Sequence, residues 1–155
     1  MPHNNSTGSD QAQVRAVIDA ITAAVREKDV EALLSRCASE IATFDLVPPL
    51  KHEGTDAIRE LWTQSLAAFV PPIEYEVHEL DLIVGGDVAF GRSLNRFGGT
   101  QTNGKRIVNW LCSTLGLRKI DDEWKVVHQH VSVPFDMKSG KAMLNMEPQA
   151  EAQSA

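Results

Sequence analysis

The apolar residues of this chain change their repeat at Pro71-Pro72. Before that point they recur mostly every three to four residues, and after it every two. A helical stripe and a strand face cannot be exchanged for one another, so this switch confines the fold to helices first and a sheet second. Val14, Val17, Ile18, Ile21 and Val25 mark one helix over about 10–28, with Arg15, Asp19, Arg26 and Glu27 on its other side. Asp10, with Gln13 three residues on, reads as its N-cap. Asp29 caps a short second helix carrying Val30, Leu33, Leu34 and Cys37. Ile41 to Leu46 alternates as a strand, and Pro48-Pro49 ends it. Gly54-Thr55-Asp56 opens a third helix with Ile58, Leu61, Trp62, Leu66 and Phe69 on one face.

Beyond Pro72 the pattern is that of a meander. Ile73, Tyr75 and Val77 share one parity, and Leu80, Leu82 and Val84 the other, which places a bulge near His78 or Glu79. Gly85-Gly86-Asp87, Thr102-Asn103-Gly104-Lys105 and Asp121-Asp122-Glu123 are turns between strands over about 88–97, 106–119 and 124–133. The fold class is therefore α+β: three N-terminal helices packed on the concave side of a strongly curved antiparallel sheet. The chain has 155 residues, one domain's worth. We expect a disordered leader over 1–9, a single domain over 10–136, and a loose tail over 137–155 in which Leu144 could dock on a groove. The strand at 106–119 is apolar on both faces, with Ile107, Leu111, Leu115 and Leu117 against Val108, Trp110 and Cys112. A sheet with one wet face alternates cleanly. A second copy of the chain covering the convex face is the simplest explanation, so a homodimer is expected.

Charge and composition remove whole classes of function. Lys plus Arg is 15 against 21 Asp plus Glu, a net charge of −6, which opposes a nucleic-acid surface. No apolar run approaches the roughly 18 residues of a membrane span, and the start Met1-Pro2-His3-Asn4-Asn5 is too polar for a signal peptide. Cys37 and Cys112 form no C-x-x-C and fit a reduced, cytoplasmic chain. A phosphate loop and a G-x-S-x-G elbow are both missing.

Several side chains could carry chemistry. Asp45 shares a strand face with Ile41 and Thr43. It is either a general base facing the interior or a strand-end Asp bonding the amides of the Pro-Pro loop. His128 and His130 lie on one strand face, read together with Trp124, Val126 and Ser132. They are core histidines, a pocket acid–base pair, or half of a metal site; no spacing supplies the third ligand such a site needs, so no metal and no organic cofactor is expected. Trp62, Tyr75, Phe90 and Trp110 are either plain core or the wall of a ligand pocket. Arg92 is an anchor if it faces inward and a surface charge if outward.

The segment Ala38-Ser39-Glu40-Ile41-Ala42-Thr43-Phe44-Asp45-Leu46-Val47-Pro48-Pro49, continued to Gly54, resembles the first strand and loop of ketosteroid isomerase and SnoaL-like proteins. The run Trp124-x-Val126-x-His128-x-His130-x-Ser132-x-Pro134 resembles the closing strand of a SnoaL-like subgroup of the nuclear transport factor 2-like (NTF2-like) superfamily. The resemblance spans about residues 12–136. It implies a cone of curved sheet and three helices, an internal pocket and frequent dimers. It places the family's general base on Asp45 and its helix 1 tyrosine on Ile21. Its protonated aspartic acid falls near Thr114 or Gly116, and Cys112 stands where relatives often carry Arg. The base is kept and both oxyanion donors are replaced, which argues against steroid isomerisation of the ketosteroid isomerase type. The expected function is a small-molecule pocket protein for a hydrophobic or carbonyl-containing ligand. In one form it is a cofactor-independent isomerase, cyclase or lyase, with Asp45 as base, His128 or His130 as proton shuttle, and Trp110 or Thr114 as donor. In the other it is a non-catalytic ligand-binding or dimerisation domain. The expected cavity holds Asp45, at least one of the two histidines, Trp62 and Trp110.

Overall fold

A computed structural model describes residues 6–149 of the chain. Its elements follow the order implied by the change of period: α1 (Ser6–Arg26), α2 (Val30–Leu34), β1 (Cys37–Phe44), β2 (His52–Glu53), α3 (Thr55–Ala67), β3 (Glu74–Gly85), β4 (Val88–Thr100), β5 (Arg106–Ile120) and β6 (Glu123–Ser132). The six strands form one sheet in the order β2-β1-β6-β5-β4-β3. β3 to β6 make the antiparallel meander, while β1 joins β6 in parallel. The sheet curves, and the helices cover its concave face. Val14, Val17, Ile18 and Val25 of α1 and Ile58 and Leu66 of α3 are buried there against Ile41, Ala89, Leu117 and Val126.

The helix start differs from expectation. α1 begins at Ser6, so Asp10 lies inside the helix and caps nothing. Its carboxylate instead accepts from Lys119 Nζ at 3.0 Å and Trp124 Nε1 at 3.2 Å, tying α1 to the β5–β6 hairpin. Residues 1–5 of the expected leader and 150–155 of the tail lie outside the described residues. The short β2 strand had no apolar alternation to reveal it.

Two bulges set which side chains face the helices. In β3 the register shifts between His78 and Asp81, with Glu79 at φ 53°, where the parity change places it. In β6 a second bulge inserts Val127, because Leu117 pairs with Val126 while Gly116 pairs with His128. Each inserted residue moves everything after it to the other face. Trp124 and Val126 therefore point into the core, and His128, His130 and Ser132 point away from it.

The segment after β6 folds back over the open face. Met143 N–H donates to Pro134 O at 2.8 Å, Trp110 N–H donates to Leu144 O at 2.9 Å, and Phe135 bridges Ala142. Met146 and Pro148 lie with Leu94, Trp110 and Cys112. Leu144 thus meets the edge of β5 through its backbone carbonyl, with its side chain still 37% exposed.

Candidate functional site

The concave face and the helices enclose two adjoining chambers. The inner one is small, about 30 Å³, and apolar, with Ile18, Ile21, Ile58 and Leu115 in its wall. The outer one is about 140 Å³ and opens past Asp45, Leu46 and Val47. Trp62, Tyr75, Asn95 and Gln129 belong to both walls. Asp45 is the only charged side chain in either lining among the described residues.

Most polar groups of the chambers come from four strands, with Thr22 of α1 and Ser65 of α3 added to them. Tyr75 sits before the β3 bulge, 6% exposed, edge-on to Phe97 at 6.1 Å. Ser93 and Asn95 follow each other on β4, where Ser93 Oγ donates to Asn95 Oδ1 at 2.7 Å and Asn95 Nδ2 donates to Tyr75 Oη at 2.9 Å. Burial pushes the Tyr75 hydroxyl up to about 12, with the Asn95 hydrogen bond pulling the other way. On the far wall Gln129 Nε2 donates to Ser113 Oγ at 3.3 Å. Asp45 follows the last residue of β1, half-buried, and its Oδ1 accepts from Leu46 N–H at 2.7 Å. One carboxylate oxygen thus stiffens the loop and the other is left for the mouth of the chamber. Cys37 also lines the inner chamber, but burial pushes its thiol up to about 11, which makes it an inert wall residue rather than a nucleophile.

The residues singled out from sequence divide between the two faces. Asp45, Trp62 and Tyr75 meet in the outer chamber. Phe90, Arg92, Trp110, Thr114, His128 and His130 stand on the open face, and neither a histidine nor Trp110 enters the enclosed chambers; His130 and Asp45 instead share an open recess outside them. The cause is strand parity. Asp81, Arg92, Thr114, His130 and Phe44 form one cross-strand row, and Ile83, Phe90, Gly116 and His128 form the next. Arg92 faces outward and pairs with Asp81 at 2.9 Å. Trp110 packs against His78 at 5.0 Å. Phe44 meets the rings of His128 and His130 edge-on at 4.9 and 5.4 Å. His128 Nδ1 lies 2.7 Å from Ala42 O. A carbonyl can only accept, so Nδ1 carries the proton and His128 braces the β1–β6 seam. His130 borders an open recess formed with the loop Asp45–Lys51. No three His, Cys, Asp or Glu side chains converge as a metal site would require, among the described residues. No described helix is long and apolar enough to cross a membrane.

Asn95, Ser93, Ser113 and Gln129 were not singled out from sequence. Ser93 and Asn95 did carry a signal: they continue the parity of Ala89 and Gly91, which is the buried one. Polar residues on a buried parity must be hydrogen-bonded to one another or to a ligand. Gln129 gave none, because its face depends on the Val127 bulge.

The SnoaL-like domain matches residues 14–136. The chain is similar to an NTF2-like protein of unknown function from Pseudomonas putida, 28% identical with a TM-score of 0.82 over 92% of this chain and 99% of that one. A ketosteroid isomerase-like protein from Erwinia carotovora atroseptica shares the fold at 20% identity, TM-score 0.69, over 83% of this chain and 97% of that one. The association domain of CaMKII from C. elegans does so at 18% identity, TM-score 0.68, over 84% of this chain and all 100% of that one. A search of curated proteins finds no match.

Proposed function

The chain belongs to the SnoaL-like domain family, and from that premise we propose that it binds a small carbonyl-bearing molecule in the concave chambers and removes a proton beside the carbonyl. The observation that supports this is the meeting of Asp45 with Trp62, Tyr75 and Asn95 around one opening. The ligand's apolar part lies against Trp62, and its carbonyl oxygen turns toward the neutral polar wall. Asp45 takes the proton from the adjacent carbon. The C–H electron pair moves into a new C–C double bond, and the carbonyl electrons move onto oxygen. Return of the proton elsewhere gives an isomer, and loss of a group one carbon further on gives an elimination. His128 and His130 take no part in this step, since they stand on the other face of the sheet.

The experiment is deuterium exchange. Cyclohexanone, a minimal ketone of the right size, is incubated with the protein in D₂O, and loss of its α-hydrogens is followed by NMR. The protein should accelerate exchange over buffer, and Asp45→Asn should remove that acceleration by about two powers of ten or more. Binding without exchange would instead assign the chain the non-catalytic role, with the Asp45 carboxylate serving only to accept from the Leu46 N–H. We also propose that a second copy covers the part of the open face that the C-terminal segment leaves bare, where Ile83, Val88 and Phe90 are 64%, 58% and 41% exposed.

A further inference from the structure

Tyr75 ends a one-way chain of hydrogen bonds. Ser93 gives its proton to Asn95, and Asn95 gives an amide proton to the Tyr75 oxygen. A phenol carries one proton, and here the oxygen is already accepting. Among the described residues nothing accepts the Tyr75 proton, and Tyr75 and Asn95 are both buried, at 6% and 4% exposure. With its ionisation pushed up to about 12, the group keeps that proton at any ordinary pH. The wall shared by both chambers therefore presents an O–H donor with no protein acceptor.

Charge and volume narrow what can accept it. Among the described residues no Lys, Arg or His lines either chamber, and Asp45 sits at the opening. An anionic ligand would lose its water, meet only neutral donors and pass a like charge on the way in, so anions are disfavoured. The outer chamber holds about 140 Å³ and the inner one about 30 Å³. A closed cavity of about 150 Å³ takes one benzene ring. A molecule of four fused rings would therefore have to extend out of these walls past Asp45.

We propose that the chambers select an uncharged molecule of single-ring size whose ketone or aldehyde oxygen accepts the Tyr75 hydroxyl proton, which makes Tyr75 a specificity-determining residue. This rests on the reading that the concave chambers are the ligand site, and it adds the size, the charge and the contact. Four probes test it on the full chain by ligand-observed NMR titration: cyclohexanone, its isosteric hydrocarbon methylenecyclohexane, cyclohexanecarboxylate, and a tetracyclic ketone.

Cyclohexanone should bind roughly three- to tenfold tighter than methylenecyclohexane, the span of one neutral hydrogen bond. Tyr75→Phe should erase that preference by weakening the ketone alone. The carboxylate and the tetracyclic ketone should bind at least tenfold more weakly than cyclohexanone. Independently of any variant, the carbonyl stretch of bound cyclohexanone should fall below its value in hexane, as for a hydrogen-bonded carbonyl. Equal affinities for ketone and hydrocarbon, or a Tyr75→Phe loss common to both, would overturn the Tyr75 contact while leaving the site in place. Tight carboxylate or tetracycle binding would overturn the charge or size selection. Failure of both single-ring neutral probes to bind would overturn the site itself.

Discussion

Tyr75 is the only tyrosine in the chain, so its ionisation can be followed by absorbance near 295 nm without overlap from another phenol. Its midpoint should lie near 12 in the folded protein and near 10 once the chain is unfolded. The sign for stability follows from the raised value. Below pH 10 both states hold the proton and the contribution is complete; as pH rises from 10 to 12 the unfolded chain releases it first, and stability falls. Two units correspond to about 2–3 kcal/mol, so Tyr75→Phe should flatten the alkaline limb of a thermal-stability profile. Asp10 gives the opposite limb. The hydrogen bond from Lys119, opposed by burial and helped by the Trp124 indole, holds its carboxyl below the usual 3.8. A depressed carboxylate contributes stability above that ordinary value and loses it as pH falls through the folded one. Asp10→Asn should therefore lower stability at neutral pH and show less further loss below pH 4 than the parent. Neither role was legible in the sequence. Asn95 stands 20 residues from Tyr75, and Trp124 114 residues from Asp10. A carboxylate three residues before Gln13 looks like a cap until the fold brings an indole to it. The pocket-wall reading of Tyr75 needed only its parity on β3, and parity is local.

Among the elements, the bulges decided how much of the site could be read. The β3 bulge was legible because Tyr75 and Val77 lie on one parity and Leu80 and Leu82 on the other. The β6 bulge was not, because Val126, Val127 and Val131 place the same residue type on both parities. Nothing in composition says which valine is the extra one, and the two histidines followed the wrong choice. The glycines of the meander test this geometry. At Gly98 an added Cβ would lie 2.0 Å from Ile107 O and 2.7 Å from Val108 Cα, so backbone would have to move. Gly98→Ala should split the β4–β5 ladder at that end and cost roughly 3 kcal/mol or more by denaturant midpoint. At Gly116 the same atom would meet His128 Cβ at 3.6 Å, an ordinary contact on the open face. Gly116→Ala should be neutral or should stabilise by up to about 1 kcal/mol, since alanine has less backbone freedom to lose. His128→Ala should lower the melting temperature by cutting the bond to Ala42, and His130→Ala should do so less, because His130 meets Phe44 but holds no strand. A larger loss at His130 than at His128 would contradict the placement of the β1–β6 seam.

For the molecule as a whole, the order of elements and the α+β class were legible because the change of repeat is long-range and redundant. What covers the open face was not, because an apolar row on a strand reports burial and not the identity of its cover. The two-sided apolar pattern of the 106–119 strand was read as cover by a second copy, yet Met146 and Pro148 of the same chain lie against Trp110 and Cys112, and Leu144 bonds the Trp110 backbone. The bare apolar surface lies further down the sheet, at Ile83, Val88 and Phe90 beside the β3–β4 turn and at Phe44 on β1, which is 40% exposed. Between them runs the polar row of Asp81, Arg92, Thr114 and His130. Exposed aromatic and aliphatic side chains of this size, gathered on one face, are rare on a solitary chain. A two-fold contact would let each copy's Phe90 region cover the other's. Sedimentation at micromolar concentration should give twice the 17.0 kDa chain mass. Phe90→Glu should shift the mass to that of one chain and leave the helical circular dichroism intact, because Phe90 takes no part in the helix-covered core. Removing residues 134–155 should instead expose Trp110 and promote association beyond two copies. A single-chain mass for the parent, or a dimer unaffected by Phe90→Glu, would remove the open face from the assembly.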